Sequence, residues 1–211
     1  MKKRGLLFVI SGPSGCGKGT VVQLLEKKHD FAVSVSATTR APREGEIDGV
    51  HYHFISTDEF EKAIAAGDML EYTFYSGSKK YYGTPKARVG EYLDDGRDVI
   101  LEIEVDGAMQ VKKRMPEAIL IFMIPPDMKT LRARLTGRGT EKADVIDARM
   151  ARAYEELKLA DGYDYVITNR ENATEETAEK LLRIAEAEAM RASRNTDIIN
   201  RLISEQGKDR N

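Results

Sequence analysis

The stretch GPSGCGKGT (residues 12–20) follows almost directly on the apolar run LLFVI (residues 6–10), and its reading decides the fold. Gly12, Gly15 and Gly17 free the backbone to turn its N–H groups inward around an anion, and Lys18 adds a mobile positive charge where a helix should begin. Ser14, Cys16 and Thr20 complete a loop suited to a nucleotide's phosphates. A plain strand-to-helix turn would not need the lysine. One position departs from the usual phosphate-loop pattern, which sets Ser or Thr after the lysine: Gly19 has no hydroxyl for a magnesium ion, and Thr20 stands one residue later.

Outward from the loop, short apolar runs recur at residues 33–35, 99–105, 119–124 and 165–167, and amphipathic stretches separate most of them at 20–28, 85–93, 107–114, 128–135 and 145–159. Strand and helix in alternation predict an α/β fold, a mainly parallel sheet covered by helices, with ligands beyond the carboxyl ends of the strands. Residues 40–83 have a different texture, rich in Tyr, His, Phe and Gly, and the alternation HYHF (residues 51–54) predicts short antiparallel strands. They read as a small lobe inserted into the main sheet. Within it STDE (residues 56–59) has capping-box spacing and should start a helix that runs through Ala66. From Thr174 onward the Ala-, Glu- and Arg-rich chain predicts one long surface helix with a polar, frayed tail.

With 211 residues, 41% of them hydrophobic, the chain can bury one main core. A net charge of -2 supplies no global cationic field for nucleic acid, so any positive site is local. Cys16 is the only cysteine, so no intrachain disulfide forms. The apolar run after MKKRG is too short for a targeting segment and none is long enough to span a bilayer, which points to a soluble cytoplasmic protein without a membrane partner. Association with further copies of the chain stays open.

Three more clusters carry chemistry. In SVSATTRAPREGEIDGVHYHF (residues 34–54), Arg40 and Arg43 flank Pro42 on an extended loop, and with Tyr52 they could fork onto a second phosphate. In LEIEVD (residues 101–106), Glu102, Glu104 and Asp106 alternate with aliphatic residues, which places three carboxylates on one face of a strand as candidates for magnesium, its waters or an acceptor nucleotide. In LRARLTGRGT (residues 131–140), Arg138 lies between glycines on a turn, while Arg134 and Arg149 sit on the flanking helices as cations that could close over a transferring phosphoryl group. Arg132 and Arg152 read equally well as helix-surface arginines paired with nearby carboxylates. Cys16, beside Lys18 and a helix N-terminus, could be a reactive thiol, but a small residue at a variable loop position is the preferred reading.

In order and spacing, GPSGCGKGT, SVSATTRAPREGE, YYGTP, LEIEVDGA, IPPDMKTLRARLTGRGTE and DYVITN resemble the guanylate kinase family over about residues 6–169. The resemblance implies a P-loop nucleoside monophosphate kinase with a core (about 1–36, 84–130 and 150–211), a GMP-binding lobe (37–83) and a lid (131–149). It also implies transfer of the ATP γ-phosphoryl group to GMP and dGMP, with Mg2+. Carried over by motif, Lys18 and the loop amides hold the ATP phosphates. Arg40, Arg43, Tyr52 and Tyr82 hold the GMP phosphate, and Ser36, Glu71 and Thr84, with Gly83 and Glu104 nearby, face guanine. Arg134, Arg138 and Arg149 close on the phosphates, and Asn169 lies near adenine. Three features depart from the family pattern. Gly19 gives the GKGT form, which by itself resembles adenylate kinases and leaves magnesium to water and ATP oxygens, with Glu102 and Glu104 reached through water. Glu104 and Asp106 replace the usual Asp and Gln, and the loop of residues 75–82 is longer.

Overall fold

The structure is a computed structural model that describes residues 3–137 and 143–205. In chain order, β1 (Leu7–Ser11) leads through the glycine loop into α1 (Lys18–Lys28) and then β2 (Ala32–Val33). Next come β3 (Ala37–Thr38), β4 (His53–Phe54), α2 (Thr57–Ala66), β5 (Met69–Tyr75) and β6 (Lys80–Pro85). The chain continues through α3 (Lys86–Asp94), β7 (Val99–Glu102), α4 (Val105–Arg114), β8 (Ile119–Ile124), α5 (Met128–Thr136) and α6 (Ala143–Leu157). It ends with β9 (Tyr165–Thr168), α7 (Thr174–Ala189) and α8 (Thr196–Glu205).

The main sheet is parallel, in the order β2-β7-β1-β8-β9. All five side chains of β1 are buried because helices cover both faces, and the period of two sorts them. Phe8 and Ile10 pack with Val21 and Leu25 of α1 and Leu181 of α7. Leu7 and Val9 pack with Val89 and Leu93 of α3 and with Ala108 and Val111 of α4. Each such side chain contributes about 1.5–3 kcal/mol on burial, so the central strand is held from both faces. Strand order reverses at β1, and the crevice beyond its carboxyl end is where α/β sheets take ligands. The glycine loop occupies that crevice.

The inserted segment forms its own four-stranded sheet, β4-β3-β6-β5. β6 runs antiparallel to both β3 and β5, but β4 pairs with β3 in parallel, which corrects the antiparallel expectation for residues 51–54. The capping box is present as expected: Ser56 Oγ accepts from the Glu59 N–H at 3.2 Å, and the Glu59 carboxylate accepts from the Ser56 N–H at 2.8 Å. Phe60 of α2 fills the lobe's small core with Ala37 and Met69. α5 and α6 form a separate helical arm through Leu131, Leu135, Ile146 and Met150.

The expected single C-terminal helix is two. The side-chain amide of Asn195 donates to the carbonyls of Ala189 and Arg191, at 2.9 and 2.8 Å, and Lys3 Nζ adds a third donor to Ala189. These donors satisfy the carbonyls that a further turn would have used, so α7 stops and α8 starts afresh. α8 is also less polar than the tail's composition suggested, since Ile198, Ile199, Leu202 and Ile203 are exposed along it. None of the described helices is long and apolar enough to cross a membrane.

Candidate active site

The loop after β1 has the backbone its glycines imply. Gly12, Gly15 and Gly17 have φ of 139°, 92° and 90°, where an L side chain is disfavoured. Gly17 is crowded as well, because a Cβ there would lie 2.5 Å from Asn169 Nδ2. Asn169 is 5% exposed; its Nδ2 donates to the Cys16 carbonyl at 2.8 Å and its Oδ1 accepts from Thr177 Oγ1 at 3.0 Å. Both ends of this amide are thus engaged beneath the loop, which it ties to α7. Gly17→Ala is expected to lose this tie and to strain φ, at about 1–2 kcal/mol for each effect. In calorimetry Tm should fall by roughly 5–10 °C, and an unchanged Tm would show that the close approach is not rigid.

Lys18 Nζ donates to the carbonyls of Gly12 and Pro13, at 2.6 and 3.2 Å, and stays inside the loop's curve. Arg134 donates to the carbonyls of Cys16 and Asn169 at 3.3 and 3.1 Å, and Arg149 Nη1 lies 3.5 Å from Ser14 Oγ. The arm therefore reaches the loop through two of the expected arginines. Arg138 lies outside the described residues. Cys16 is buried, and burial pushes its thiol up more strongly than Lys18 lowers it, which argues against a reactive thiol.

Two cavities open from this point. The first, about 730 Å³, is lined by Gly12, Ser14, Gly15, Gly17, Lys18, Gly19 and Thr20, by Gln23 of α1, and by Arg149, Arg152 and Glu156 of α6. The second, about 570 Å³, lies over the lobe and is lined by Ser36, Arg43, Tyr52, Glu71, Tyr82 and Gly83, with Thr73, Tyr75 and Ser78. They join at Tyr75, Glu102, Ile103, Glu104 and Arg149, which line both. Glu71, Thr73 and Tyr75 are alternate residues of β5, so strand geometry turns all three to the same side. That signal would have found Tyr75 from the sequence.

Glu71 is 6% exposed and accepts from Thr84 Oγ1 at 2.7 Å. Burial raises its carboxyl to about 7; the Thr84 bond opposes this. The wall that carries it hangs from α4. Gln110 pairs with both backbone groups of Tyr72, at 3.2 and 2.9 Å, Arg114 donates to the Leu70 carbonyl at 2.7 Å, and a Cβ on Gly107 would meet Glu71 Oε2 at 2.8 Å.

The two loop arginines are placed differently. Arg43 lines the second cavity. The Arg40 guanidinium instead forks onto Glu46, at 2.5 and 2.7 Å, with its centre 5.0 Å from the Tyr52 ring centroid. Glu46 also accepts the Arg43 N–H at 2.7 Å, and Arg40 holds its carboxyl down at about 2. Arg40 thus lies over the Tyr52 ring and braces the loop through Glu46, a residue whose role the sequence pattern did not signal.

The acidic stretch is split by a change of structure. β7 ends at Glu102; Glu104 is the N-cap of α4 and Asp106 lies exposed in its first turn. Three carboxylates on one strand face is therefore corrected to two at the cavity border. The helix wins because Val105, Ala108 and Val111 repeat at helical spacing and are buried, and because carboxylates are favoured near a helix N-terminus. Glu102 faces the loop: a Cβ on Gly19 would stand 3.4 Å from its Oε2, and burial raises its carboxyl against the pull of Lys18. Arg132 pairs with Asp147 on the surface at 2.8 Å, whereas Arg152 lines the first cavity and binds Glu104 and Glu156, each at 2.8 Å. No group of three His, Cys, Asp or Glu side chains among the described residues could hold a metal ion by itself.

A glycine-loop cavity on a parallel sheet, joined to a second cavity in an inserted β lobe and reached by arginines from a helical arm, defines a P-loop nucleoside monophosphate kinase. The family model described as guanylate kinase matches residues 4–188. The guanylate kinase of Streptococcus thermophilus (strain CNRZ 1066) is 52% identical over 207 residues, covering 97% of each chain. That of Lactococcus lactis subsp. lactis (strain IL1403) is 50% identical over 195 residues, covering 92% of this chain and 93% of its own. The crystal structure of guanylate kinase from Anaplasma phagocytophilum matches with a TM-score of 0.71 at 31% identity, over 92% of this chain and 90% of that one. The chain belongs to the guanylate kinase family.

Proposed function

We infer that the chain transfers the γ-phosphoryl group of ATP to GMP, and likewise to dGMP, with ATP on the glycine loop and the acceptor in the lobe cavity. The observation that supports this acceptor is Glu71, a buried carboxylate braced by Thr84 in the wall of a cavity that opens onto the phosphate loop. Guanine offers N1–H and N2–H₂ as parallel donors, which one carboxylate accepts together, whereas adenine offers a lone pair at N1. Ser36 and Thr84 flank that contact. Arg43, Tyr52 and Tyr82 take the acceptor's phosphate, and Arg40, through Glu46, holds the loop that carries Arg43.

Donor phosphates lie against the amides of residues 12–20, with Lys18 leaving its loop carbonyls for phosphate oxygens. The acceptor phosphate oxygen attacks in line, so no side chain need be a nucleophile. Lys18, Arg134 and Arg149 offset the charge that develops, and by family motif Arg138 joins them. Residues 37–83 act as the acceptor lobe and 131–149 as the lid, closing on the remaining core to exclude water that would otherwise take the phosphoryl group. With ATP and GMP supplied, GDP and ADP should form in equal amounts. ADP release that proceeds as fast without GMP would overturn this reading.

Magnesium, bound with ATP, would supply a positive charge that offsets part of the phosphates' negative charge. The nearby donors are hard oxygens and suit that ion: the Thr20 hydroxyl, and the carboxylates of Glu102 and Glu104 reached through water. A Cβ on Gly19 would stand in ordinary contact with Glu102, so the site has room for Gly19→Ser, which would add the hydroxyl that the loop lacks at this position. The variant should need severalfold less magnesium for half-maximal turnover at an unchanged KM for GMP. Superimposable magnesium titrations would show that the hydroxyl is immaterial.

A further inference from the structure

At the border of the two cavities, two phosphate-bearing nucleotides must approach each other beside the carboxylates of Glu102 and Glu104, and one of these carboxylates has its own cation. Arg152 of α6 donates from Nη2 to Glu104 Oε2 and from Nε to Glu156 Oε1, both at 2.8 Å. The Glu156 side chain is 13% exposed, so it anchors the planar guanidinium while the outer edge reaches Glu104. Arg149, one turn earlier on the same helix, leans toward Ser14 on the loop instead. Tyr75 of β5 stands at the same border, where burial and the Glu104 carboxylate raise its hydroxyl. Arm, core and lobe therefore meet at Glu104.

We propose that Arg152 is a positioning residue for the acceptor: it holds the Glu104 carboxylate neutralised and in one orientation at the cavity border, so that GMP can settle beside the ATP phosphates. The proposal rests on the reading of the lobe cavity as the GMP site. The Glu104 side chain is 47% exposed, and the structure shows it paired with Arg152. Released from the guanidinium, it would sweep the cavity mouth with an uncompensated negative charge facing phosphates. The Arg152–Glu104 pair, about half exposed at both ends, adds little to folding stability, so its effect belongs in acceptor binding. The Arg152–Glu156 contact is the one whose loss is read in Tm.

The test is steady-state kinetics with ATP and GMP on wild type, Arg152→Met, Arg152→Lys, Glu104→Gln and the Arg152→Met/Glu104→Gln double variant, each with its Tm. Arg152→Met should raise KM for GMP about tenfold, the scale of one charge-assisted hydrogen bond, while kcat and KM for ATP move less than about threefold and Tm, through the loss of the Glu156 contact, falls by roughly 2–8 °C. Arg152→Lys, which keeps the charge, should recover most of the loss. On the Glu104→Gln background, Arg152→Met should add less than about twofold, because the partner is already gone. An unchanged KM for GMP in Arg152→Met, a loss that persists in full on the Glu104→Gln background, or a KM that follows Tm from variant to variant would each overturn the proposal. A wild-type enzyme that does not use GMP would overturn the functional reading instead.

Discussion

Glu71→Gln should lower kcat/KM for GMP by about 10²–10³-fold and leave KM for ATP within about threefold. The carboxylate accepts two parallel donors from guanine, and bonds to a charged partner contribute about 1.5–3 kcal/mol each. An amide of the same shape offers one oxygen and turns an NH₂ toward the second donor, which leaves two buried donors facing each other. Thr84 keeps its acceptor in the variant, so the fold should persist and the loss should appear in acceptor use. The same carboxyl sets a pH dependence. Burial raises it from its ordinary 4.5 to about 7, so below pH 7 the free enzyme holds a proton that must leave before guanine's two donors can be accepted. KM for GMP should therefore climb as pH falls from 7, by up to about tenfold per pH unit. Stability of the free enzyme runs the other way. A carboxyl raised by folding favours the folded state below its unfolded value, and that contribution is lost as pH rises through about 7. Both dependences should disappear in Glu71→Gln; a wild-type KM for GMP that is flat from pH 5.5 to 7.5 would remove Glu71 from guanine recognition.

Lys18→Met should lower kcat by about 10²–10³-fold, the usual loss when one preorganised donor to developing charge is removed. The free enzyme keeps the ammonium on the Gly12 and Pro13 carbonyls, a short swing from the space inside the loop where phosphates would lie. In that resting position the cation also offsets carbonyl dipoles that the curled loop brings together. Met retains the side-chain stem but neither charge nor donors, so the loop's glycine backbone should hold while transfer slows. KM for ATP should change much less, because the loop amides still bind the phosphates. A kcat within threefold of wild type would mean that the arm arginines supply the transition-state charge without Lys18.

Much of this was legible because it rests on local rules. Gly12, Gly15, Gly17 and Lys18 announce a strand, a turn and a helix within nine residues, and the backbone takes the φ values those glycines permit. Ser56 and Glu59 cap α2 as their spacing requires. Failures came where a local pattern met a non-local partner. Glu102, Glu104 and Asp106 alternate like a strand, but burial of Val105, Ala108 and Val111 against the sheet selects a helix. HYHF has the texture of a strand, yet only the path of the chain decides that His53 pairs with Ala37 in parallel. Asn195 is an unremarkable polar residue until its amide meets the last carbonyls of α7. Arg152 could have been separated from Arg132 only by knowing which face of α6 looks into the cavity.

The acceptor assignment is tested most directly by coupled ADP release from the wild-type enzyme with GMP, dGMP, AMP and UMP at saturating ATP. A buried carboxylate that pairs with guanine's N1–H and N2–H₂ predicts kcat/KM for GMP at least about 10³-fold above that for AMP or UMP, with dGMP on the side of GMP. Comparable use of AMP and GMP would contradict it.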